Sequence, residues 1–277
     1  MKILVFGANG QLGSELVREG SARGLTREDV DVRDLKAVKK AIEQYHPDVV
    51  FNATAYNAVD KAESDKDEAL LVNGIVPGKM AAICAAKNIP FVHYSTDYVF
   101  GDSHAKPISE LETPDPLSVY GRSKLFGENA VLRAHPGALV IRTTGIYSPG
   151  GQNFVNTMQR LGKERGSLRV VSDQFVAPTS ASTLAKISLR LAELGEDGIF
   201  HVVSQSGTSW YEFAQAIFEL SELDVELQPV KATEWGAPAR RPRYSVLDTA
   251  RLRLLGLDES IGSWRAELER FFVESGE

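Results

Sequence analysis

The sequence predicts an α/β chain, with a doubly wound parallel sheet and a smaller C-terminal lobe. Three observations predict it. Short apolar runs alternate with helix-period segments from residue 2 to about residue 147. The first apolar run closes on a glycine-rich turn that opens a helix. Beyond residue 147 the alternation loosens into connections rich in glycine, proline and arginine. A first domain is therefore expected over 1–147, with some later segments returning to it, and a smaller lobe over 148–277.

Each element has its own warrant. "KILVF" (2–6) is an unbroken apolar run, the pattern of a parallel strand buried on both faces. "LGSELVREG" follows with helical spacing, and the second strand is expected near "SARGLT" (21–26). "LKAVKKAIEQYH" (35–46) is amphipathic, with Asp34 placed as its N-cap and Pro47 just past its end. "DVVFNATA" (48–55) reads as the third strand, Ala69–Lys87 as a long alanine-rich helix and "IPFVHYS" (89–95) as a strand. "SVYGRSKLFGENAVLRA" (118–134) is helical and "ALVIRTTGIY" (138–147) a strand. In the second part, "LRVVSDQFVAPTS" reads as a strand entering a loop. "ASTLAKISLRLAEL" (181–194) is a helix, "GIFHVVS" (198–204) a strand, and "TSWYEFAQAIFEL" (208–220) a helix capped by Thr208. "VKATEWGAPARRPRYSVLD" reads as irregular.

Composition narrows the function. The 277 residues are 43% hydrophobic and 25% charged, ordinary for a globular protein. A net charge of −6 argues against nucleic acid or an anionic membrane as the main partner. The single cysteine, Cys84, rules out a disulfide within the chain and reads as a buried helix residue. The apolar run before Gly7 is too short for a signal-peptide core, and no apolar run reads as long enough to span a membrane, so a cytoplasmic protein is expected. The five histidines, at 46, 93, 104, 135 and 201, lack metal-ligand spacing, and no metal is expected.

"GANGQLG" places Gly7, Gly10 and Gly13 directly after a strand, with Asn9, Gln11 and Leu12 in the same turn. Gly7 suits the tight turn, Gly10 lets the backbone approach a pyrophosphate, and Gly13 lets the helix pack on the sheet. In this α/β setting the turn predicts a Rossmann-type dinucleotide site. Arg27, just after the second strand, suits the 2′-phosphate of NADPH; a solvated loop cation is the rival reading, so NADH stays open. Asp31 and Val32 are expected beside the adenine. "YGRSK" sets Tyr120 one helical turn from Lys124. An ammonium beside a phenol lowers the phenol's pKa and makes a proton-handling pair, although an exposed helix pair has the same spacing. "HYSTDYVFG" ends a strand with the hydroxyls of Ser95 and Thr96.

Together these residues resemble the extended short-chain dehydrogenase/reductase family. The resemblance implies an active site of Thr96, five residues before Gly101, with Tyr120 and Lys124. It also implies that Asn73, in "LVNGIVPGKMAA", is the family's asparagine on the middle helix beside the cofactor. More narrowly, "FNATAYNAVDKAESD", "HYSTDYVF", "PLSVYGRSKLFGE", "VVSDQFVAPT" and "PARRPRYSVLD" resemble the dTDP-4-dehydrorhamnose reductase family across nearly the whole chain. That implies NADPH-dependent reduction of the C4 ketone of a dTDP-linked 4-keto-6-deoxy sugar, giving dTDP-L-rhamnose. Ala53, Thr54, Ala55 and Tyr56 would pass along the cofactor, and Asp97 would contact the sugar unless it only caps a turn. Asn153, with Arg241 or Arg240, would meet the substrate diphosphate, a solvated arginine being the alternative for each. A homodimer is left open. The run "DKAESDKDE" (60–68) reads as a solvated helix start, and Trp210 and Phe213 read as core.

One position departs from the pattern. Gly145, in "RTTGIY", stands where these reductases carry a tryptophan near the sugar, so a void is expected there unless another side chain fills it. Two alternatives follow. One is a reductase or epimerase of another nucleotide-linked 4-keto deoxysugar. The other is a non-catalytic binding partner resembling the regulatory subunit of methionine adenosyltransferase.

Overall fold

The first strand, β1 (Ile3–Phe6), is buried at every residue and feeds α1 (Gln11–Gly20) through the glycine turn. Then come β2 (Arg23–Leu25), α2 (Leu35–Tyr45) and β3 (Val49–Asn52). The computed structural model describes residues 1–275. Asp34 caps α2 as its sequence predicts, its carboxylate accepting from the Lys36 and Ala37 amides at 3.0 and 3.1 Å. After α3 (Val59–Ala62) a single rod runs through α4 (Lys66–Leu70), a π turn (Leu71–Ile75) and α5 (Val76–Ala85). It starts before the expected Ala69 and ends before the expected Lys87.

This rod corrects the membrane reading. Among the described residues, Lys66–Ala85 is a 20-residue helix long and apolar enough to cross a membrane by length and composition. Half of its apolar window is buried inside the protein, where α5 packs on α6 (Val119–Ala134), so the apolar residues serve a core. β4 (Phe91–Thr96) precedes α6, and β5 (Leu139–Thr143) follows it. The second part holds α7 (Phe154–Glu164), β6 (Ser167–Val171), β7 (Phe175–Val176), α8 (Ala181–Leu194) and β8 (Gly198–His201). It closes with β9 (Thr208–Ser209), α9 (Trp210–Leu220), β10 (Glu226–Val230), α10 (Ala232–Trp235), α11 (Ala250–Leu254) and α12 (Trp264–Ser275).

Among the described residues the main sheet has six strands, all parallel, in the order β2-β1-β3-β4-β5-β8. Side chains alternate between its faces. Ile3, Val5, Phe51 and Ile141 pack with Leu184 and Leu191 of α8, while Leu4, Phe6 and Val140 pack with Val38, Ile42 and Met80. The order reverses between β2 and β3 on either side of β1, which opens a crevice at the carboxyl ends of those strands. α8 and β8 return to this sheet. α7, β6, α9, β10 and α12 build a separate core around Val155, Phe213, Ile217 and Leu268, joined by Tyr147 from the end of the β5 segment. α9 is capped by Ser209, which forms a reciprocal box with Glu212; the expected cap, Thr208, is instead paired with Val176 in a two-stranded ladder.

Candidate active site

The glycine turn is shaped by close approach. Gly7 has φ +85°, and a Cβ there would lie 2.9 Å from the Ala53 carbonyl, so the end of β1 can touch the end of β3 only as glycine. A Cβ on Gly13 would sit 2.0 Å from the Gly7 oxygen. α1 begins at Gly10 with no side-chain cap, leaving first-turn amides for an anion, and Asn9 and Gly10 are exposed beside them. These features fit a dinucleotide pyrophosphate. Leu12 points into the core.

Gln11 and Asn153 do something the sequence did not reveal. The Gln11 Oε1 accepts from Asn153 Nδ2 at 2.9 Å and from the Ser148 hydroxyl at 3.2 Å. Asn153 is also the N-cap of α7, accepting from the Asn156 amide at 2.9 Å, and it donates to the Ser148 carbonyl at 2.8 Å. Its amide is therefore spent on joining the second lobe to the glycine turn.

On the adenine side, Arg27 is exposed and its Nε lies 3.8 Å from Asp31. Arg33, which sequence reading missed, grips the same carboxylate at 2.5–3.0 Å and holds its pKa down to about 2. Val32 is buried in the core with Leu4, Leu25 and Val38. Ala53, Thr54, Ala55 and Tyr56 form a half-buried loop after β3. Asn73 is fully buried in the π turn; its Oδ1 accepts from the Tyr56 amide at 2.8 Å, and its Nδ2 donates to the Tyr56 carbonyl and Ser123 hydroxyl, each at 3.1 Å. Asn73 thus fixes the loop that carries Tyr56.

β4 and α6 bring Thr96, Tyr120 and Lys124 together. Ser118 caps α6 by accepting from the Gly121 amide at 3.1 Å, so Tyr120 lies in the first turn. Tyr120 and Lys124 are both buried, which removes the exposed-pair alternative. The Tyr120 hydroxyl approaches that of Thr96, and its ring packs edge-on against Tyr98 with centroids 5.9 Å apart. Burial pushes the Tyr120 phenol up, with the Asp97 carboxylate adding to the effect, so the expected net lowering is corrected. Lys124 donates to the Tyr94 carbonyl at 2.5 Å. Burial draws its pKa down to about 8, opposed by Glu128 one turn on, which is itself gripped by the buried Arg142 at 2.7 and 2.9 Å.

Thr96 Oγ1 donates to Asp97 Oδ1 at 2.9 Å and accepts from the Tyr98 amide at 3.2 Å, so the threonine, not the aspartate, caps this turn. Asp97 is buried, and its Oδ2 makes no hydrogen bond of good geometry. Burial raises its pKa to about 6, with the hydroxyls of Ser245, Thr96 and Thr144 pulling the other way.

A cavity of about 780 Å³ opens beside this cluster, and Tyr98 lines it while packing on Tyr120. Aromatic walls come from Phe154, Trp210 and Trp235, and cationic ones from Arg169, Arg240 and Arg241. Arg241 is not free: its guanidinium holds Asp60 through two contacts of 3.0 Å and also bonds the Tyr98 hydroxyl. Asp60 also accepts from the Ala239 amide at 3.0 Å, so part of the run read as solvated is a lobe-to-lobe anchor. Arg240 is exposed and 3.6 Å from Asp102. Arg169 was missed, although the alternation of "SLRVV" sets it opposite the buried Leu168 and Val170. The expected void at Gly145 is filled: a Cβ there would lie 3.3 Å from Cη2 of Trp210, which is half-buried and lines the cavity as well as packing on the core. Among the described residues no group of three or more His, Cys, Asp or Glu is placed to hold a metal ion.

Known proteins share this arrangement from end to end. The spore coat polysaccharide biosynthesis protein SpsK of Bacillus subtilis is 37% identical over 278 residues, covering 99% of this chain and 97% of that protein. The dTDP-4-dehydrorhamnose reductase of Burkholderia thailandensis is 40% identical over 274 residues, covering 91% and 92%. The crystal structure of dTDP-4-dehydrorhamnose reductase from Bacillus anthracis, solved in complex with NADP, matches with a TM-score of 0.95 at 35% identity, covering 99% of this chain and 100% of that one. The family described as RmlD substrate binding domain matches residues 1–276, and with relatives this similar over this span, the chain belongs to that family.

Proposed function

We propose that this chain is an NADPH-dependent reductase that converts the C4 ketone of dTDP-4-dehydro-6-deoxy-L-mannose (dTDP-4-dehydrorhamnose) to dTDP-L-rhamnose. The observation that carries the reading is the buried convergence of Thr96, Tyr120 and Lys124 behind Tyr98, which lines the large cavity. The names of the relatives and the NADP complex of one of them support it. In this reading residues 1–147, with α8 and β8, hold the cofactor, and the rest of 148–277 holds the nucleotide sugar.

The first-turn amides of α1, at Gln11, Leu12 and Gly13, would hold the pyrophosphate over the Gly7–Gly10 turn, and Arg27 the 2′-phosphate. NADPH held there would supply the hydride that C4 receives. Tyr120 gives its proton to the C4 oxygen, and burial keeps that phenol protonated at neutral pH, the state in which a reduction must begin. Thr96 donates to the same oxygen as charge builds on it. The Lys124 ammonium, held by the Tyr94 carbonyl, stabilises the phenolate left behind. Arg169 and Arg240 face the diphosphate, and the Trp235 side of the cavity takes the base. In this reading the activity is cytoplasmic.

The test is NADPH oxidation against a panel of dTDP- and UDP-linked 4-keto sugars, with the product identified. Turnover of dTDP-4-dehydrorhamnose to dTDP-L-rhamnose is expected. Tight binding of the sugar nucleotide without oxidation of NADPH would make the chain a binding partner. A second reading, reduction of a different dTDP-linked 4-keto-6-deoxy sugar, is favoured by one observation: the wall beside Gly145 is built by Trp210 of the other lobe.

A further inference from the structure

We infer that Trp210 sets the shape of the hexose subsite, and that residue 145 is glycine because that indole occupies the space beside it. The inference rests on the reductase reading above. Gly145 follows Thr144, whose hydroxyl approaches Asp97, the neighbour of Thr96. Position 145 therefore lies next to the proposed reacting centre. It has φ +54°, a left-handed conformation that favours glycine. An added Cβ would meet Pro178 Cα and Trp210 Cη2, both at 3.3 Å, so either the backbone or the indole must give way.

The indole is held firmly. Trp210 is the first residue of α9, directly after the Ser209–Glu212 box, in which Ser209 N donates to Glu212 at 3.0 Å and Glu212 N to Ser209 Oγ at 3.1 Å. Ser209 itself pairs with Phe175 across the small ladder. The ring packs on Phe154 with centroids 4.7 Å apart, and its remaining surface lines the cavity together with Tyr98. Tyr98 in turn backs onto Tyr120.

A hexose with its C4 at Tyr120 and its anomeric phosphate toward Arg169 and Arg240 has to pass this indole. The apolar face of a pyranose suits such a flat, weakly hydrated wall. Which face of the ring is apolar depends on the configuration of its carbons, so a wall in this place discriminates between epimeric 4-keto sugars. Because the indole comes from α9, the two lobes must be docked for the subsite to exist.

The experiment compares kcat/KM, with NADPH, for dTDP-4-dehydro-6-deoxy-L-mannose and dTDP-4-dehydro-6-deoxy-D-glucose, alongside the Kd of dTDP alone. Trp210→Ala is expected to lower kcat/KM for the better sugar about 10–100-fold and to change the ratio between the sugars, while the Kd for dTDP stays within about twofold. Gly145→Ala is expected to lower kcat/KM about tenfold in the wild-type background and by at least about twofold less on top of Trp210→Phe, which relieves the contact with the indole and leaves the one with Pro178. An unchanged sugar ratio in folded Trp210→Ala overturns the inference, as does an equal loss of dTDP binding. If Trp210→Ala does not fold, the Gly145→Ala and Trp210→Phe cycle decides, and additive effects overturn the inference. A wild type that reduces neither sugar overturns the reductase reading and this inference with it. An active wild type with unmoved ratios overturns only the role of Trp210.

Discussion

The Lys124 ammonium is anchored to the Tyr94 carbonyl at 2.5 Å, two residues before Thr96 on the same strand. This bond ties the helix that carries the phenol to the strand that carries the hydroxyl. It also keeps the lysine in a dry place, where burial lowers its pKa to about 8. The cation is thus present below that pH and lost above it. Turnover is expected to fall about tenfold per pH unit above pH 8, because the phenolate formed on Tyr120 loses its counter-charge. The pH profile of kcat checks this, and a profile flat to pH 10 would separate Lys124 from the step.

Tyr120→Phe removes the proton donor and keeps the ring that packs on Tyr98. Turnover is expected to drop by roughly 10²–10⁴-fold with NADPH affinity retained. Single-turnover rates and NADPH titration together check it. Normal turnover in this variant would assign proton donation to another group.

Asp97→Asn is expected to stabilise the fold. The carboxyl's pKa rises from its ordinary 3.8 to about 6 on burial, so the folded protein binds more protons than the unfolded chain between these values, and Asp97 loses stability as pH rises through that window. Asparagine stays neutral throughout. The gain should be on the order of 2–3 kcal/mol above pH 7, smaller at pH 5, and close to nothing below pH 4. Chemical denaturation at these pH values checks it, and a gain independent of pH would point to packing instead of charge.

Arg27→Ala is expected to raise KM for NADPH more than for NADH. The guanidinium is exposed and only loosely paired with Asp31, so it can turn to a 2′-phosphate at little cost. Equal changes in the two KM values would show that Arg27 does not read that phosphate.

The sequence alone determined what depends on near neighbours along the chain. Alternating and helical periodicity placed the parallel strands and their helices, because burial of one face or both is written into residue order. Asp34 as a cap, the Gly7–Gly13 turn and the four-residue spacing of Tyr120 and Lys124 are local in the same sense. Tertiary structure decided the rest. The pairing of Gln11 with Asn153 spans 142 residues and that of Asp60 with Arg241 spans 181, and no local pattern marks either partner. The upward shift of Tyr120 comes from burial beneath Tyr98 and beside Asp97, and desolvation is a property of the packed surroundings that spacing cannot report. Gly145 and Trp210 illustrate the same limit. An absent side chain at one position was legible as a gap, but the indole that fills it comes from another lobe and meets it only when both cores have formed.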